Sequence, residues 1–292
     1  MTPAEYLNAL LKAQNLDEDS TELKDLRQHR KEVETLIREK FPSPTIRYGG
    51  SKAKDTMIRD SYDLNLPCYF ANDDTSAGDT LKDIFESVKA ALEQEYWAEV
   101  KASALRLRSR DMKTDFHIDV VPGRFTDDTE TDAFLHRTTG DKKWFKTNLD
   151  VHIEHVRDSG VTDAIKVIKV WRKRSGVNIK TFVLELIVVK LIGGSTKALD
   201  KQVVEVLTEL AENADNISVE DPANSNNDLS EAWSDSVRSS VASAAASTLA
   251  TIQSGSWEAA FGQLPAADQE PTIEVVRRAA QASASRSKPW SH

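Results

Sequence analysis

Three polar residues in apolar segments have the types and spacing of a metal site. Asp63 and Asn65 lie two residues apart in the segment SYDLNLPCYF, and Asp119 lies in a second apolar segment, FHIDVV. On a β-strand the side chains of Asp63 and Asn65 share one face, and the intervening leucine points to the other. Oxygen ligands on adjacent strands suit Mg²⁺, and a pair of such ions supports nucleotidyl transfer, in which the α-phosphate of a nucleotide moves to a hydroxyl and pyrophosphate leaves. Position 65 departs from this chemistry because its amide carries no charge.

Asp119 needs a partner, because burying an unpaired charge between apolar residues is costly. The partner is either a metal ion or an arginine such as Arg106 or Arg124, and the sequence leaves both interpretations open. A metal ion would draw Asp119 into the same site as Asp63 and Asn65.

A glycine-rich turn, Gly49-Gly50-Ser51, follows a predicted strand at 45–48. Glycines let the backbone turn tightly and approach a ligand closely. Backbone N–H groups and the Ser51 hydroxyl could hold phosphate oxygens there. An ordinary strand-to-helix turn is the alternative interpretation.

Hydrophobic periodicity predicts the elements that must position these residues in the first half of the chain. Helix is predicted over residues 3–40, with a break near 17–20 and a cap at Ser20 or Thr21, and again over 81–96. Strands are predicted at 45–48, 63–70, 98–107 and 116–121.

The second half is predicted to be mostly helical. Residues 126–143 are predicted to form a loop, after which Trp144 and a cap at Thr147-Asn148 begin a helix. Two helices follow residue 163, with the sequences AIKVIKVWRKRSG and TFVLELIVVKLIG, and the second is apolar on most of its surface and so predicted to be central. Further helices are predicted at 200–213 and at 238–253, the latter continued by 257–261.

Composition narrows the class of protein. With 39% hydrophobic and 29% charged residues, the chain has the composition of a soluble globular protein. The net charge of −9 opposes constitutive nucleic-acid binding, although local lysines could still surround nucleotide phosphates. The single cysteine, Cys68, and the absence of a membrane-spanning or signal-peptide pattern predict a cytoplasmic protein with no membrane partner.

The motifs together resemble a known superfamily. The order is GGS, eleven residues, an Asp on an apolar strand, and a second apolar strand with Asp119. This pattern resembles the DNA polymerase β-like nucleotidyltransferases and, more narrowly, the cGAS/DncV-like family (CD-NTases), which is related to the oligoadenylate synthetases. WFKTNLDVH is similar to the family's W-x-x-T-N-P segment, with Leu149 in place of proline. The two helices after residue 163, DPANSNNDLS and WEAAFGQLP are similar to parts of the oligoadenylate-synthetase-like domain.

The resemblance implies a bilobal α/β fold. A nucleotidyltransferase lobe with a mixed sheet and an amino-terminal helix would span 1–155, and an all-helical lobe would span 156–292, with a flexible tail after about residue 280. Nucleotide would bind in the cleft between the lobes.

The resemblance also implies roles for particular residues, carried over by position. Asp63, Asn65 and Asp119 occupy the three catalytic and metal-ligand positions. The residues implied to bind nucleotide are Gly50, Ser51, Asn148, Lys169 and Thr181. For Lys169 the alternative is a solvated helix face, because basic residues surround it in the sequence.

The implied activity is the synthesis of cyclic di- or trinucleotide second messengers from ATP, GTP or pyrimidine triphosphates. Two Mg²⁺ ions, or Mn²⁺ in their place, would be the cofactors. The implied biology is bacterial antiphage signalling of the CBASS type, in which the messenger activates a separate effector; an RNA activator is left open. The alternatives are a template-independent enzyme that adds nucleotides to RNA and a nucleotide-binding regulatory module without turnover.

Asn65 stands where the family has a third carboxylate, and three explanations compete. The residue is a substitution made to trap substrates, or it marks a natural pseudoenzyme, or the enzyme works with a weakened site. We favour the first, because the rest of the motif is intact. An amide oxygen can ligate Mg²⁺, but metal affinity and electrostatic stabilisation should both fall.

Overall fold

A computed structural model describes residues 1–16, 18–41, 43–110 and 117–264. The predicted flexible tail after about residue 280 lies outside these residues. The helices are α1 (Pro3–Gln14), α2 (Thr21–Lys40), α3 (Gly50–Ala53), α4 (Leu81–Leu92), α5 (Leu149–Arg157), α6 (Thr162–Arg174), α7 (Thr181–Ile192), α8 (Leu199–Glu212), α9 (Asp235–Gln253) and α10 (Trp257–Phe261). The strands are β1 (Thr45–Ile46), β2 (Asp63–Phe70), β3 (Tyr96–Val100), β4 (Leu105–Ser109), β5 (His117–Phe125), β6 (Asp132–His136) and β7 (Trp144–Asn148).

The described strands form one mixed sheet in the order β1-β2-β5-β4-β3. β2 and β5 run parallel, and β4 pairs antiparallel with the first part of β5. β6 pairs with the end of β5 and with β7, so β5 carries a different neighbour along each half. The two strands that bear the predicted metal ligands are therefore direct neighbours at the centre of the sheet.

One hydrophobic core lies between the sheet and helices α2 and α4. Alternation places Leu64 and Leu66 of β2 in this core beside Ile118 and Val120 of β5. The polar residues between them face the other side of the sheet and are only half-buried. The predicted two-faced character of these strands is confirmed.

A second core joins helices α6 to α10, and α1 packs into it as well. Tyr6, Leu7 and Leu10 of α1 belong to this helical cluster, and the Tyr6 hydroxyl donates to the Gly262 carbonyl at 2.6 Å. A fully buried tryptophan of this core, Trp171, donates its indole N–H to the Thr248 hydroxyl at 2.9 Å. The first and last described helices are thus tied to each other through the helical core.

The fold class is confirmed: a mixed sheet and helical segments form an α/β protein. The break between α1 and α2 and the Ser20 cap are confirmed as well. The boundary between residues 155 and 156 stays a prediction. None of the helices in the described ranges is long and apolar enough to cross a membrane.

Several of the predicted elements are wrong in extent or type. The helix predicted over 81–96 ends at Leu92. Acidic residues follow it, and negative charges are unfavourable at a helix C-terminus. The strand predicted over 98–107 is a hairpin, β3 and β4, closed by a hydrogen bond from Lys101 N–H to the Ala104 carbonyl. Residues 126–143 contain β6, and Trp144 begins β7 rather than a helix. The segment 257–261 is a separate helix, because Gly255 turns the chain at a φ of 92°.

Cys68 lies fully buried on β2, and burial raises the pKa of its thiol to about 12. We expect the folded protein to be inert to a thiol reagent such as DTNB at pH 8, because the thiol is fully buried and its raised pKa disfavours the reactive thiolate. Absorbance of the released thiolate would measure this, and guanidinium-unfolded protein, which should release one equivalent, is the control. Stoichiometric release from folded protein would contradict the prediction.

Candidate active site

Strand register brings the three predicted metal-ligand positions together. In the parallel pair β2·β5, Asn65 lies opposite Asp119, and Asp63 lies one pleat further on the same face of β2. The side chain of Asp63 is 39% exposed and that of Asp119 is 14% exposed. The three positions therefore form one polar patch on an otherwise apolar pair of strands.

The glycine turn lies directly against this patch. Gly49 donates its N–H to the Asn65 carbonyl at 2.9 Å, and Gly50 begins α3 at a φ of +57°. A Cβ at position 50 would lie 2.1 Å from Asn65 Nδ2, which is far inside contact distance. Only glycine fits both the backbone angle and the space, so the turn and position 65 form one structural unit.

Arg106 is the protein partner of Asp119. β4 places it opposite Asp119, where Nε and Nη2 each donate to one carboxylate oxygen at 2.8 Å. Nη2 also reaches Asp63 Oδ2 at 3.4 Å. The hydrogen bonds that Arg106 donates to Asp119 and the nearby carboxylate charges raise the pKa of Arg106, so it is a permanent cation. Arg124, the other candidate, instead donates to backbone carbonyls, including those of Asp74 and Gly78.

A magnesium ion fits this donor set by ligand type. Mg²⁺ is commonly held by one or two carboxylates together with substrate phosphates, and Asp63 and Asp119 supply two carboxylates. The amide oxygen of Asn65 is a third, uncharged oxygen ligand. Within the ranges that the structure describes there is no group of three or more His, Cys, Asp or Glu side chains able to hold a metal ion. Two carboxylates and one amide oxygen leave the remaining positions around an octahedral ion to water or phosphate oxygens.

Lys169 is not on a solvated helix face, because only 3% of it is exposed. Its ammonium group donates to Ser51 Oγ at 2.7 Å and to the Thr56 carbonyl at 2.6 Å. Glu185 on α7 lies 3.4 Å away. A lysine of the helical core thus contacts the predicted phosphate-binding turn directly.

Glu185 is the centre of a buried network that joins the sheet side to the helical side. It accepts from Lys54 Nζ at 2.9 Å and from the Thr56 hydroxyl at 2.7 Å, in addition to its contact with Lys169. Burial alone would raise the pKa of Glu185, but the charges of Lys54 and Lys169 hold it below its ordinary value. Burial lowers the pKa of Lys169, and Glu185 opposes that effect. Two ammonium groups and one carboxylate leave a net positive charge beside the turn.

The two remaining nucleotide-binding predictions lie in different surroundings. Thr181 begins α7, half-buried and one helical turn before Glu185, so both lie on the same side of that helix. Asn148 caps α5 by accepting from the Val151 N–H at 3.1 Å, and its amide donates to Asp132 at 2.9 Å. Both amide atoms of Asn148 are thus engaged in local structure, and its role in a nucleotide pocket stays a prediction.

Two residues of the site had no specific role predicted from the sequence, although Lys54 was among the lysines expected near nucleotide phosphates. Lys54 was one of many lysines near the turn, and Glu185 sits within an apolar helix. The usable signal for Glu185 was its isolation, because a lone carboxylate in a buried helix requires a cationic partner. Which cation that was could not be read from spacing.

The family to which the chain is matched places it among the polymerase β-like nucleotidyltransferases. A model of the Second Messenger Oligonucleotide or Dinucleotide Synthetase domain matches residues 1–159, which is more than half of the 292 residues. The chain belongs to this family of CD-NTases, and the predicted family membership is confirmed. No curated protein is significantly similar to the chain.

Solved structures show the same fold. CdnC from E. coli MS115-1, solved with ATP, is 15% identical with a TM-score of 0.65, and the match covers 96% of this chain and 95% of that one. CdnG from Bradyrhizobium diazoefficiens, solved with GTP, is 14% identical with a TM-score of 0.67 over 97% and 99% of the chains. A cytoplasmic RNA terminal U-transferase is 11% identical with a TM-score of 0.62 over 90% and 98%. At these identities the likeness shows the fold alone.

Proposed function

We propose that the chain belongs to a synthase of cyclic di- or trinucleotide second messengers, with a site weakened at position 65. The observation that carries this proposal is the meeting of Asp63, Asn65 and Asp119 beside the Gly50-Ser51 turn, in a member of the second-messenger synthetase family. The substrates are nucleoside triphosphates, and support comes from the solved relatives that contain ATP and GTP.

The reaction forms a bond between an acceptor ribose oxygen and the donor's α-phosphorus, breaks the bond from that phosphorus to the oxygen it shares with the β-phosphate, and releases pyrophosphate, while the proton of the acceptor hydroxyl is lost to solvent. Asp63 and Asp119 would hold Mg²⁺, or Mn²⁺ in its place, with the Asn65 oxygen as a neutral third ligand. When bound, two such ions would supply activation of the acceptor hydroxyl and neutralisation of the charge on the leaving group. Gly50 and Ser51 approach the donor triphosphate, and Lys169 supplies a positive charge to it from the helical side.

The proposed biological setting is cytoplasmic antiphage signalling of the CBASS type, in which the messenger acts on a separate effector. The net charge of −9 supports small nucleotides rather than a constitutively bound nucleic acid as substrates, and leaves room for a transient RNA activator. Base choice and ring size depend on contacts with bound nucleotides.

The test of this function is product identification. The Asn65→Asp variant is incubated with all four triphosphates and Mg²⁺ or Mn²⁺, and the products are analysed by mass spectrometry. Masses of cyclic di- or trinucleotides would support the proposal. Linear products only, or extension of added RNA, would contradict it.

A second candidate is a template-independent enzyme that adds nucleotides to RNA. The likeness in fold to an RNA terminal U-transferase favours it, and the acidic net charge opposes it. A gel assay with labelled RNA separates the two, because only this candidate predicts stepwise extension.

A third candidate is a regulatory module that binds nucleotide without turnover. Asn65 and the Arg106 pairing of both carboxylates favour it, because each lowers the negative charge available to a metal ion. Calorimetry that shows triphosphate binding, combined with no product even from Asn65→Asp, would support this candidate.

Replacing Gly50 tests the role of the turn in triphosphate binding. We expect Gly50→Ala to weaken binding of a non-hydrolysable ATP analogue by about tenfold or more, which is about 1.4 kcal/mol, because the added Cβ must displace Asn65 or the turn. Gly160→Ala is the matched control, since Gly160 also has a positive φ but has no atom within 4 Å of its Cβ position. Calorimetry should show unchanged affinity for the control, and equal losses in both variants would contradict the prediction.

A further inference from the structure

Arg106 occupies the position where the proposed metal-dependent reaction needs a cation. Its guanidinium donates one hydrogen bond to each oxygen of Asp119 at 2.8 Å and another to Asp63 at 3.4 Å. Bidentate pairs of this kind are among the stronger side-chain interactions and are geometrically specific. The side chain is 24% exposed, so water screens the interaction only partly.

The pairing with Arg106 lowers the net negative charge that a metal ion meets at this site. Asp63 and Asp119 contribute two negative charges, Arg106 contributes one positive charge, and Asn65 contributes none. A divalent cation that approaches the carboxylates therefore meets one net negative charge while Arg106 stays in place. It must also replace the hydrogen bonds that Asp119 and Asp63 receive from the guanidinium.

We infer that Arg106 is a positioning residue that competes with the divalent cation for Asp63 and Asp119. In the nucleotide-free protein it holds both carboxylates in place and keeps the affinity for free metal ions low. A metal ion that arrives on a triphosphate brings its own anionic ligands and so displaces the guanidinium more readily than a free ion does. This inference rests on the proposed metal-dependent function.

The neighbouring arginine on the same strand provides a matched control. Arg108 lies on the same face of β4 one pleat further, but it pairs with Glu99 at 3.3 Å and is 57% exposed. Replacing either arginine by glutamine changes the net charge of the chain equally. Only Arg106→Gln removes a cation from the predicted metal ligands.

The experiment measures Mn²⁺ affinity of the full chain without nucleotide, by the electron paramagnetic resonance signal of free Mn²⁺. We expect Arg106→Gln to tighten Mn²⁺ binding by about tenfold or more, because a positive charge a few ångströms from a dication is removed. Arg108→Gln should change it by less than about twofold, since exposed charges at a greater distance are screened. In the Asn65→Asp background, Arg106→Gln should again tighten Mn²⁺ binding more than Arg108→Gln does.

The outcomes separate this inference from the proposed function. If Asn65→Asp binds Mn²⁺ but the two arginine variants have the same affinity as their parent, or change it equally, the inference about Arg106 is wrong and the proposed function stands. If no variant binds Mn²⁺, the inference about Arg106 is wrong, and the proposed function is judged separately by product formation from triphosphates. Thermal unfolding checks that each variant folds. Should Arg106→Gln fail to fold, Arg106→Met decides, because it also removes the charge but keeps a long apolar side chain: tighter Mn²⁺ binding than in the parent supports the inference, and unchanged binding overturns it.

Discussion

The Asn65→Asp variant is expected to form product from labelled nucleoside triphosphates at least about 100-fold faster than the chain with Asn65, in Mg²⁺ or Mn²⁺. The added carboxylate is on β2, opposite Asp119 of β5. With Asp63 and Asp119 it gives the metal position three negatively charged ligands. It also outweighs the charge of Arg106, which leaves the site more attractive to a dication. Initial rates of pyrophosphate release measure the effect.

Moving the amide is the control for net charge. The double variant Asn65→Asp, Asp119→Asn has the same net charge as the original chain but carries its amide on β5, and we expect it to stay nearly as slow. Equal rates for the original chain and Asn65→Asp would show that position 65 does not limit turnover. A large increase would favour an engineered or recent loss over a long-standing pseudoenzyme.

Glu185→Ala is expected to lower the free energy of unfolding by about 3–5 kcal/mol, because it leaves Lys54 and Lys169 as uncompensated buried charges. Glu185 is 1% exposed, and its removal also takes an acceptor from the Thr56 hydroxyl. Chemical denaturation monitored by circular dichroism measures the change. Since Lys169 would lose the partner that keeps it oriented toward Ser51, nucleotide binding should weaken as well.

Glu205→Ala controls for the loss of a lysine-paired carboxylate at the surface. Glu205 pairs with Lys197 at 2.8 Å, and the lysine is 59% exposed, so we expect a loss below about 1 kcal/mol.

The pH dependence of stability adds a second check on Glu185. The pKa of Glu185 is lowered in the folded state, so its contribution is present above the unfolded value of 4.5 and is lost as the pH falls through the folded value. The difference in unfolding free energy between the original chain and Glu185→Ala should therefore shrink in acid, and a constant difference would argue against a charge effect.

Long periodic segments were predictable from the sequence, and short strands were not. The apolar helix TFVLELIVVKLIG became α7 with nearly the predicted ends, because its own side chains determine its burial. The strands β6 and β7 have five residues each and form by pairing with neighbouring strands, β6 with β5 and β7, and β7 with β6. Local composition at 126–143 is polar, and pairing between segments is not visible in a periodicity. For the same reason the β3–β4 hairpin was read as one strand.

The site residues show the same distinction: those marked by a local pattern were predictable, and those defined by contacts between distant elements were not. Asp63, Asn65 and Asp119 stood out because polar side chains are costly in apolar strands. Lys169 looked like one member of a basic helix face, and only the packing of α6 against α7 shows that it is buried against Glu185. Between two candidate arginines for Asp119, strand register selected Arg106.

The sequence alone determined which face of β2 and β5 is polar, that position 65 lacks a charge, and that a glycine turn precedes them, because these depend on residue type and on a spacing of a few positions. The tertiary structure alone decided what each charge meets: Gly50 against Asn65, Arg106 on both carboxylates, and Lys169 and Lys54 on Glu185. The physical reason is that electrostatic energies depend on distance and burial across elements far apart in the chain. The same two aspartates and one asparagine thus acquire their chemistry from the arginine and lysines that the fold brings to them.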